Sequence, residues 1–261
     1  MAYQDHAKTA DRSAAETALS HRYVLDGRDT RPVLIVLHQE TSTPGRVGQV
    51  LERHGVALDI RRPVMGESLP ETLDDHRGAI VFGGPPSAND TDDYIRRELD
   101  WMAVPLREER PFLGICLGAQ MLAKHLGADV SSHHEGLAEI GYYPLRSTPE
   151  GRQVVRHWPE MIYQWHREGF DLPHGAKLLA EGEWYPNQAF RYGPAAYAVQ
   201  FHAELTLAMM HRWTTKGHER MTLPGAQARR QHFHGRAIYD PPVLRWLEAF
   251  LARTFGHRLD E

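Results

Sequence analysis

Short apolar runs recur through the first half of the chain, and each is bounded by glycine or proline. They are VLIVLH at 33–38, VALDIRR at 56–62, AIVF at 79–82 and PFLGI at 111–115. Segments with helical periodicity separate them, at 44–54 and at 92–110, and the second is interrupted near Pro105. This alternation predicts a parallel sheet covered by helices on both faces. Ligand sites in such sheets lie at the carboxyl ends of the strands.

The second half of the chain has a different pattern, with strand alternation and short turns. Its predicted strands are EIGYYPL at 139–145, AKLLAEGEW at 176–184, NQAFRYG at 187–193 and AAYAVQFH at 195–202. We interpret them as antiparallel strands added to one side of the sheet. Two helices near 206–217 and 242–254 are expected to close the chain.

The pattern divides the chain into an N-terminal extension over residues 1–30 and one domain over residues 31–261. The extension is polar and alanine-rich, and the regular pattern starts at Pro32. A short helix packed on the domain or on a neighbouring protomer, and a partly ordered tail, are equally compatible with it.

Composition narrows the function classes. The net charge of −4 gives no reason to expect nucleic acid or an anionic membrane as a partner. No apolar run approaches the roughly 18 residues of a membrane span, and a single cysteine forms no internal disulfide, so we expect a cytoplasmic protein. His232 and His234 are two residues apart, but a solvated loop is the better interpretation, and no metal site is expected.

The single cysteine, Cys116, lies in the sequence GICLG at 114–118. An isolated cysteine usually behaves as a small buried hydrophobe. Here, however, glycines two residues away on each side fit the strand, tight turn and helix of a nucleophile elbow. The helix N-terminus would favour a negatively charged sulfur. We therefore predict that Cys116 is a nucleophile.

A cysteine nucleophile needs a base and a group that orients the base. Alternation over 197–201 predicts a strand that ends near His202, with Glu204 two residues further on. His-x-Glu at a strand end fits a base and its orienting carboxylate. A solvated surface histidine is the alternative for such a pair taken alone.

The third predicted component is a pair of donors for a developing oxyanion. The loop GGPPS at 83–87 follows the third apolar run and should reach the same edge of the sheet as Cys116. The backbone N–H groups of Gly84 and Leu117 could receive the oxyanion. An ordinary Gly-Pro turn is the alternative for this loop.

Together, GGPPS at 83–87, GICLGAQ at 114–120 and QFHAE at 200–204 resemble the class I glutamine amidotransferases. The segments QWHREGFDLPHGAKLLA at 164–180 and NQAFRYG at 187–193 are similar to stand-alone relatives of the amidotransferase domain of GMP synthase. The resemblance implies a flavodoxin-like three-layer α/β/α fold with a mostly parallel sheet plus added antiparallel strands. It implies that Cys116 is the nucleophile, that His202 is the acid and base, and that Glu204 holds its ring.

The resemblance also implies residues that hold the substrate's backbone end. Gln120 is one of them. The others are in the loop His166-Arg167-Glu168, where relatives of the GMP synthase type often have His-Gly-Asp. Arg167 is bulkier than the glycine of those relatives.

Three functions follow as hypotheses: a glutamine-hydrolysing amidotransferase, a stand-alone γ-glutamyl peptidase or transferase, and a non-catalytic binding protein on the same fold. No cofactor is expected. The chain has no Gly-x4-Gly-Lys-Ser/Thr loop for a nucleotide. A separate synthetase subunit that accepts the ammonia is compatible with the sequence, and so is a homodimer.

Overall fold

The computed structural model describes residues 23–258 of the 261-residue chain. The strands of this part are β1 (Tyr23–Val24), β2 (Val33–Val36), β3 (Leu58–Arg61), β4 (Gly78–Val81), β5 (Phe112–Ile115), β6 (Val130–Ser132), β7 (Glu139–Pro144), β8 (Arg146–Ser147), β9 (Met161–His166), β10 (Glu168–Phe170), β11 (Lys177–Glu181), β12 (Ala189–Tyr192), β13 (Ala196–Val199) and β14 (His257–Arg258). The helices are α1 (Gly45–Arg53), α2 (Asp93–Trp101), α3 (Ala103–Arg107), α4 (Leu117–His125), α5 (Pro149–Val154), α6 (Leu207–Lys216) and α7 (Arg229–Phe255), and short 3₁₀ turns cover Pro63–Met65 and His218–Thr222.

The central sheet contains eight strands in the order β3-β2-β4-β5-β13-β12-β11-β8. The first five are parallel, and the last three are antiparallel to their neighbours. Numbered along the chain, the parallel strands have the order 2-1-3-4-5, which is flavodoxin-like. The predicted mostly parallel sheet with added antiparallel strands is therefore confirmed.

In the four inner parallel strands, β2, β4, β5 and β13, successive residues point to opposite faces of the sheet and all are buried, whereas the edge strand β3 is half-buried. On β2, Val33 and Ile35 join the apolar cluster under α1 and α7, whereas Leu34 and Val36 join the cluster under α2, α3 and α4. Burial on both faces explains why these strands are apolar runs without alternation. The result is the three-layer arrangement that was predicted.

Two of the predicted antiparallel strands were placed wrongly. The strand within 195–202 is β13, and it pairs parallel to β5, with Val199 opposite Ile115. The strand within 139–145 is β7, and it forms a separate two-stranded ribbon with β9 rather than joining the sheet. Alternation shows that a segment is a strand, but it does not identify the strand's partner.

The last helix is longer than predicted. It begins at Arg229 and continues through Pro241 and Pro242 to Phe255, whereas the sequence indicated 242–254. Its second half packs on the sheet, where Trp246 and Phe250 are buried in the core.

The two ends of the described chain meet, because β1 pairs antiparallel with β14. Residues 1–22 of the predicted extension lie outside the described residues, so the division at residue 30 stays a prediction. Within residues 23–258, no helix combines the length and the hydropathy that crossing a membrane requires.

Candidate active site

Cys116 lies at a sharp turn between β5 and α4. Its backbone adopts φ 50° and ψ −103°, a left-handed conformation that is costly for a residue with a side chain. The turn is held by hydrogen bonds: the Cys116 N–H donates to Val199 O (2.8 Å), and the Gln120 N–H donates to Cys116 O (2.9 Å). A strained residue kept in place by its surroundings is typical of a functional site.

The two glycines around the cysteine are required by close packing. A Cβ on Gly114 would lie 2.5 Å from the carbonyl oxygen of Gly118. A Cβ on Gly118 would lie 2.1 Å from the carbonyl oxygen of Val81 on the neighbouring strand. Larger residues would therefore push α4 away from the sheet and move the sulfur.

His202 follows the end of β13, and its ring is paired with Glu204. His202 Nδ1 lies 2.7 Å from Glu204 Oε1, and the two side chains are 4% and 2% exposed. The backbone is fixed as well: the His202 N–H donates to Tyr163 O (2.9 Å), and the Arg46 N–H donates to Glu204 O (2.8 Å). The ring of Trp213 packs edge-on against the imidazole, with centroids 4.9 Å apart.

The free edge of the imidazole faces the cysteine across Gly83. A Cβ placed on Gly83 would lie 2.9 Å from His202 Cε1 and 3.2 Å from Cys116 Cβ, so both residues contact the same glycine. Among the described residues, His202 Nε2 has no hydrogen-bond partner. It is buried and available to a substrate.

The charges around His202 favour its protonated form. Burial of the ring opposes protonation, but the negative charges of Glu204 and of Cys116 outweigh burial and raise the pKa of His202 to about 10. An imidazolium beside the sulfur is therefore the state expected at neutral pH. It is also the state that can donate a proton to a leaving group.

A cavity of about 280 Å³ opens at the carboxyl edge of the parallel strands. Its wall includes Cys116, His202, Glu204, Gly83 and Gly84. The sheet order changes direction between β2 and β4 at this edge, which is the usual position of ligand sites in such folds. Leu117 is the first residue of α4, so its N–H has no carbonyl partner within the helix.

The outer wall of the cavity comes from later parts of the chain. It contains the indoles of Trp165 and Trp213 and the basic side chains of Arg212, Lys216 and Arg220, with Glu219 beside them. Trp213, Arg212 and Lys216 lie on α6. Thr206 caps the N-terminus of this helix, because its hydroxyl oxygen accepts a hydrogen bond from the Met209 N–H (3.2 Å). The outer wall is thus aromatic and basic, whereas the inner wall contains Cys116, the His202–Glu204 pair and the two glycines of the loop.

The residues predicted to hold the substrate's backbone end lie outside the lining of this cavity. The Gln120 amide donates to Glu168 O (2.8 Å), and His166 Nδ1 lies 3.0 Å from the same oxygen. His166 Nε2 lies 3.0 Å from a Glu139 carboxylate oxygen, and Arg167 is exposed. The structure brings Gln120, His166 and Glu168 together, and a substrate contact by any of these residues stays a prediction.

Sequence reasoning assigned no role to Gln200, whose side chain contacts the sulfur of Cys116. Its amide donates toward Cys116 Sγ (3.6 Å), its oxygen accepts from the Gln120 amide (3.3 Å), and the residue is fully buried. The only sequence signal was its place in QFHAE, immediately before the strand-end histidine motif. Trp165 was missed similarly, as the neighbour of the predicted loop.

The histidine pair predicted to lie in a solvated loop is in α7, which corrects that interpretation. His232 is fully buried, and its ring nitrogens lie 2.9 Å from the Tyr163 hydroxyl and 2.9 Å from Gln227 O. Within residues 23–258, one group of side chains could hold a metal: His133, His134 and Glu135 have ligand atoms within 4.8 Å of one another. The last two of these residues are exposed, and none of the three lines the cavity.

Comparison with known proteins places the chain among enzymes with the same fold. The family model for class I glutamine amidotransferases matches residues 45–216. A putative glutamine amidotransferase-like protein, YfeJ of Salmonella typhimurium, is 32% identical over 209 residues, which cover 76% of this chain and 85% of the relative. One subunit of the glutamine-hydrolysing GMP synthase of Thermococcus kodakarensis is 34% identical over 48% of this chain and 65% of its own length.

Solved structures agree with this placement. A glutamine amidotransferase from Methylobacillus flagellatus superimposes with a TM-score of 0.80 at 26% identity, over 87% of this chain and 96% of that one. A glutamine amidotransferase from Thermotoga maritima gives a TM-score of 0.78 at 29% identity, over 86% and 97%. This chain therefore belongs to the class I glutamine amidotransferase family.

Proposed function

We propose that this protein hydrolyses the side-chain amide of glutamine with Cys116 as nucleophile, His202 as acid and base, and Glu204 as the group that orients His202. The observation that carries the proposal is the convergence of the strained cysteine and the His202–Glu204 pair on one cavity. Family membership supports glutamine as the substrate class.

In the first half-reaction, the Cys116 thiolate adds to the amide carbon, and the carbonyl oxygen becomes an oxyanion. The N–H groups of Gly84 and Leu117 receive this charge. His202 Nε2–H then protonates the departing nitrogen as the C–N bond breaks. Ammonia leaves, and a γ-glutamyl thioester remains on the sulfur.

In the second half-reaction, neutral His202 takes a proton from water as the water oxygen adds to the thioester carbon. The C–S bond breaks, glutamate leaves, and the thiolate and imidazolium are restored. Glu204 keeps Nδ1 protonated throughout, so that Nε2 always faces the reaction.

The test is a measurement of glutamate and ammonia released from glutamine by purified protein and by Cys116→Ala. We expect the wild type to release glutamate and ammonia in equal amounts and the variant to release neither. Absence of turnover with and without candidate synthetases, together with no Cys116 adduct with a glutamine-mimicking electrophile, would reject the proposal. Equal behaviour of both proteins in every assay would support a non-catalytic role.

A second candidate is a stand-alone γ-glutamyl peptidase that uses the same residues. The outer wall favours it, because Trp165 and Trp213 could pack against a leaving amine larger than ammonia. The basic side chains of Arg212, Lys216 and Arg220 could pair with a carboxylate on that amine. Faster turnover of γ-glutamylglycine than of glutamine would favour the peptidase.

A separate acceptor is the other part of the proposal. The relative from Thermococcus kodakarensis is, by its name, one subunit of a GMP synthase. By analogy, ammonia formed in this cavity could pass to a synthetase subunit bound over its mouth. A rise in glutamine turnover on adding such a subunit would identify it. Cytoplasmic location and dimerisation remain predictions.

A further inference from the structure

Besides His202–Glu204 and His166–Glu139, a third buried histidine–glutamate pair lies directly behind the loop that carries Gly84. His38 follows the end of β2, and its Nε2 lies 2.8 Å from Glu98 Oε2 on α2. The two side chains are 0% and 1% exposed. This pair does not line the cavity and has no part in the reaction steps described above.

The other nitrogen of His38 faces the loop itself. His38 Nδ1 lies 3.4 Å from the carbonyl oxygen of Gly83, a long hydrogen bond. A carbonyl oxygen and a carboxylate both accept, so in this arrangement Nδ1 donates to Gly83 O and Nε2 donates to Glu98, with a hydrogen on each ring nitrogen. Glu98 holds the opposite nitrogen and thereby fixes the plane of the ring.

That carbonyl belongs to the same peptide unit as the Gly84 N–H. The described residues contain no cis peptide bond, and in a trans unit the C=O and N–H point in opposite directions. Anchoring the Gly83 oxygen on one side therefore fixes where the Gly84 N–H points on the other. We infer that His38, held by Glu98, is a positioning residue that aims the Gly84 N–H at the oxyanion.

Packing around the two glycines supports this inference. A Cβ on Gly84 would lie 2.6 Å from His38 Cβ, so the loop is in direct contact with the His38 side chain. A Cβ on Gly83 would lie 2.9 Å from His202 Cε1. The peptide is thus held between His38 on one side and the reacting groups on the other.

The inference rests on the proposed function, because it gives Gly84 an oxyanion to bind. A misdirected donor weakens binding of the transition state more than binding of the substrate. Loss of the His38 bond should therefore lower kcat and leave KM nearly unchanged. It should also lower the rate of thioester formation in a single turnover.

Two substitutions at the same position separate the two hydrogen bonds. In His38→Gln the amide nitrogen replaces Nε2, so the variant keeps a donor toward Glu98 and loses the donor to Gly83. In His38→Asn the amide nitrogen replaces Nδ1, so the variant keeps the donor to Gly83 and loses contact with Glu98. Both variants remove the ring, which makes each the control for the other.

We expect His38→Gln to lose about 10- to 100-fold in kcat, less than the roughly 10²–10³-fold typical of removing an oxyanion donor outright. His38→Asn should keep a clearly higher kcat. Rates are counted per Cys116 that a glutamine-mimicking electrophile labels at completion, because only folded protein offers the site that binds this reagent. A wild-type kcat in the Gln variant, or equal losses in both variants, would overturn the inference.

A measurement on wild-type protein tests the same point when a variant does not fold. In a crystal with the γ-glutamyl thioester trapped by freezing, the thioester oxygen should accept from the Gly84 N–H, with Gly83 O still on His38 Nδ1. A Gly84 N–H that points away from that oxygen would overturn the inference while leaving glutamine hydrolysis intact. If the wild type releases no glutamate from any γ-glutamyl substrate, the proposed function fails instead.

Discussion

Two of the buried histidine–glutamate pairs have similar nitrogen–oxygen distances and similar burial, but different surroundings. The His202–Glu204 pair at the end of β13 is 2.7 Å apart, and the His166–Glu139 pair on the β7–β9 ribbon is 3.0 Å apart. All four side chains are at most 4% exposed. Only the first pair lines the cavity with Cys116.

The difference lies in the second ring nitrogen. His166 Nδ1 faces Glu168 O, and its Nε2 faces Glu139, whose carboxylate also accepts from the Gln188 amide (2.9 Å). His202 uses Nδ1 for Glu204 and leaves Nε2 toward the cavity. Both nitrogens of His166 lie 3.0 Å from protein oxygens and away from the cavity, which suits a structural role, whereas proton transfer to a substrate needs a ring nitrogen that faces the cavity.

The largest expected effect comes from removing the nucleophile on which the comparison depends. Cys116→Ala should lower kcat for glutamine hydrolysis on the order of 10⁶-fold, because no nucleophile remains to add to the amide carbon. Glutamate release by the variant at high protein concentration measures the residual kcat, and a melting curve serves as the folding control. Turnover near the wild-type rate would mean that the histidine pair acts without the thiol.

The same substitution in the two pairs tests the comparison directly. Glu204→Gln should lower kcat on the order of 10²–10⁴-fold, because the ring loses the carboxylate that orients and charges it. Glu139→Gln should instead lower the free energy of unfolding by about 1–3 kcal/mol, because it disturbs buried hydrogen bonds. Steady-state rates per Cys116 that a glutamine-mimicking electrophile labels, with urea unfolding of both variants, distinguish the two effects.

A smaller effect is expected from pH. The pKa of His202 is raised to about 10 from an ordinary 6.5, so the folded state binds this proton more tightly than the unfolded state. Its contribution to stability is fully present below pH 6.5 and is lost as pH rises through about 10. Thioester formation, which needs the imidazolium, should fall about tenfold per unit above that pKa.

Rapid-quench measurement of thioester formation from neutral pH to well above the pKa of His202 would check this fall in rate, which forms the alkaline limb of the pH profile. Glu204→Gln should move the limb to lower pH, because Glu204 is the largest of the causes that raise the pKa. An unchanged limb in that variant would contradict the assignment of the pKa to this pair. Glu139→Gln is the matched control and should leave the limb in place.

The smallest effect concerns the outer wall. Lys216→Glu should lower kcat/KM for γ-glutamylglycine by about two- to fivefold, since exposed ion pairs contribute about 1 kcal/mol or less. It should leave γ-glutamylethylamide unchanged, because that leaving group has no carboxylate. Lys177→Glu, at an exposed lysine that does not line the cavity, is the control. Equal changes with both substrates would assign Lys216 no role in leaving-group binding.

Much of the inner wall was predictable because its signals are local. The runs at 33–38, 79–82 and 111–115 contain most of the parallel strands β2, β4 and β5, since a strand buried on both faces must be apolar throughout. Gly114 and Gly118 showed where the chain turns. The strand before His202 was also predicted, although its parallel partner was not.

Other features gave no local signal. The ribbon strand β9 was not predicted, and neither was the first half of α7, which continues through Pro241 and Pro242 although proline usually interrupts a helix. Gln200 contacts a sulfur 84 positions away, and His38 meets a glutamate 60 positions away. A buried polar group acquires its role from a partner that the fold brings to it.

By itself, the sequence determined the layered α/β architecture, the turn at Cys116 and the approach of a strand toward His202. Hydrophobic burial and backbone sterics act between near neighbours, so they are visible in short stretches. Only the tertiary structure decided that His202 faces the thiol and that His38 lies behind the loop that carries Gly84. These arrangements depend on the packing of segments far apart in the sequence. Each buried polar group there either forms a hydrogen bond with another segment or faces a cavity where a ligand can bind.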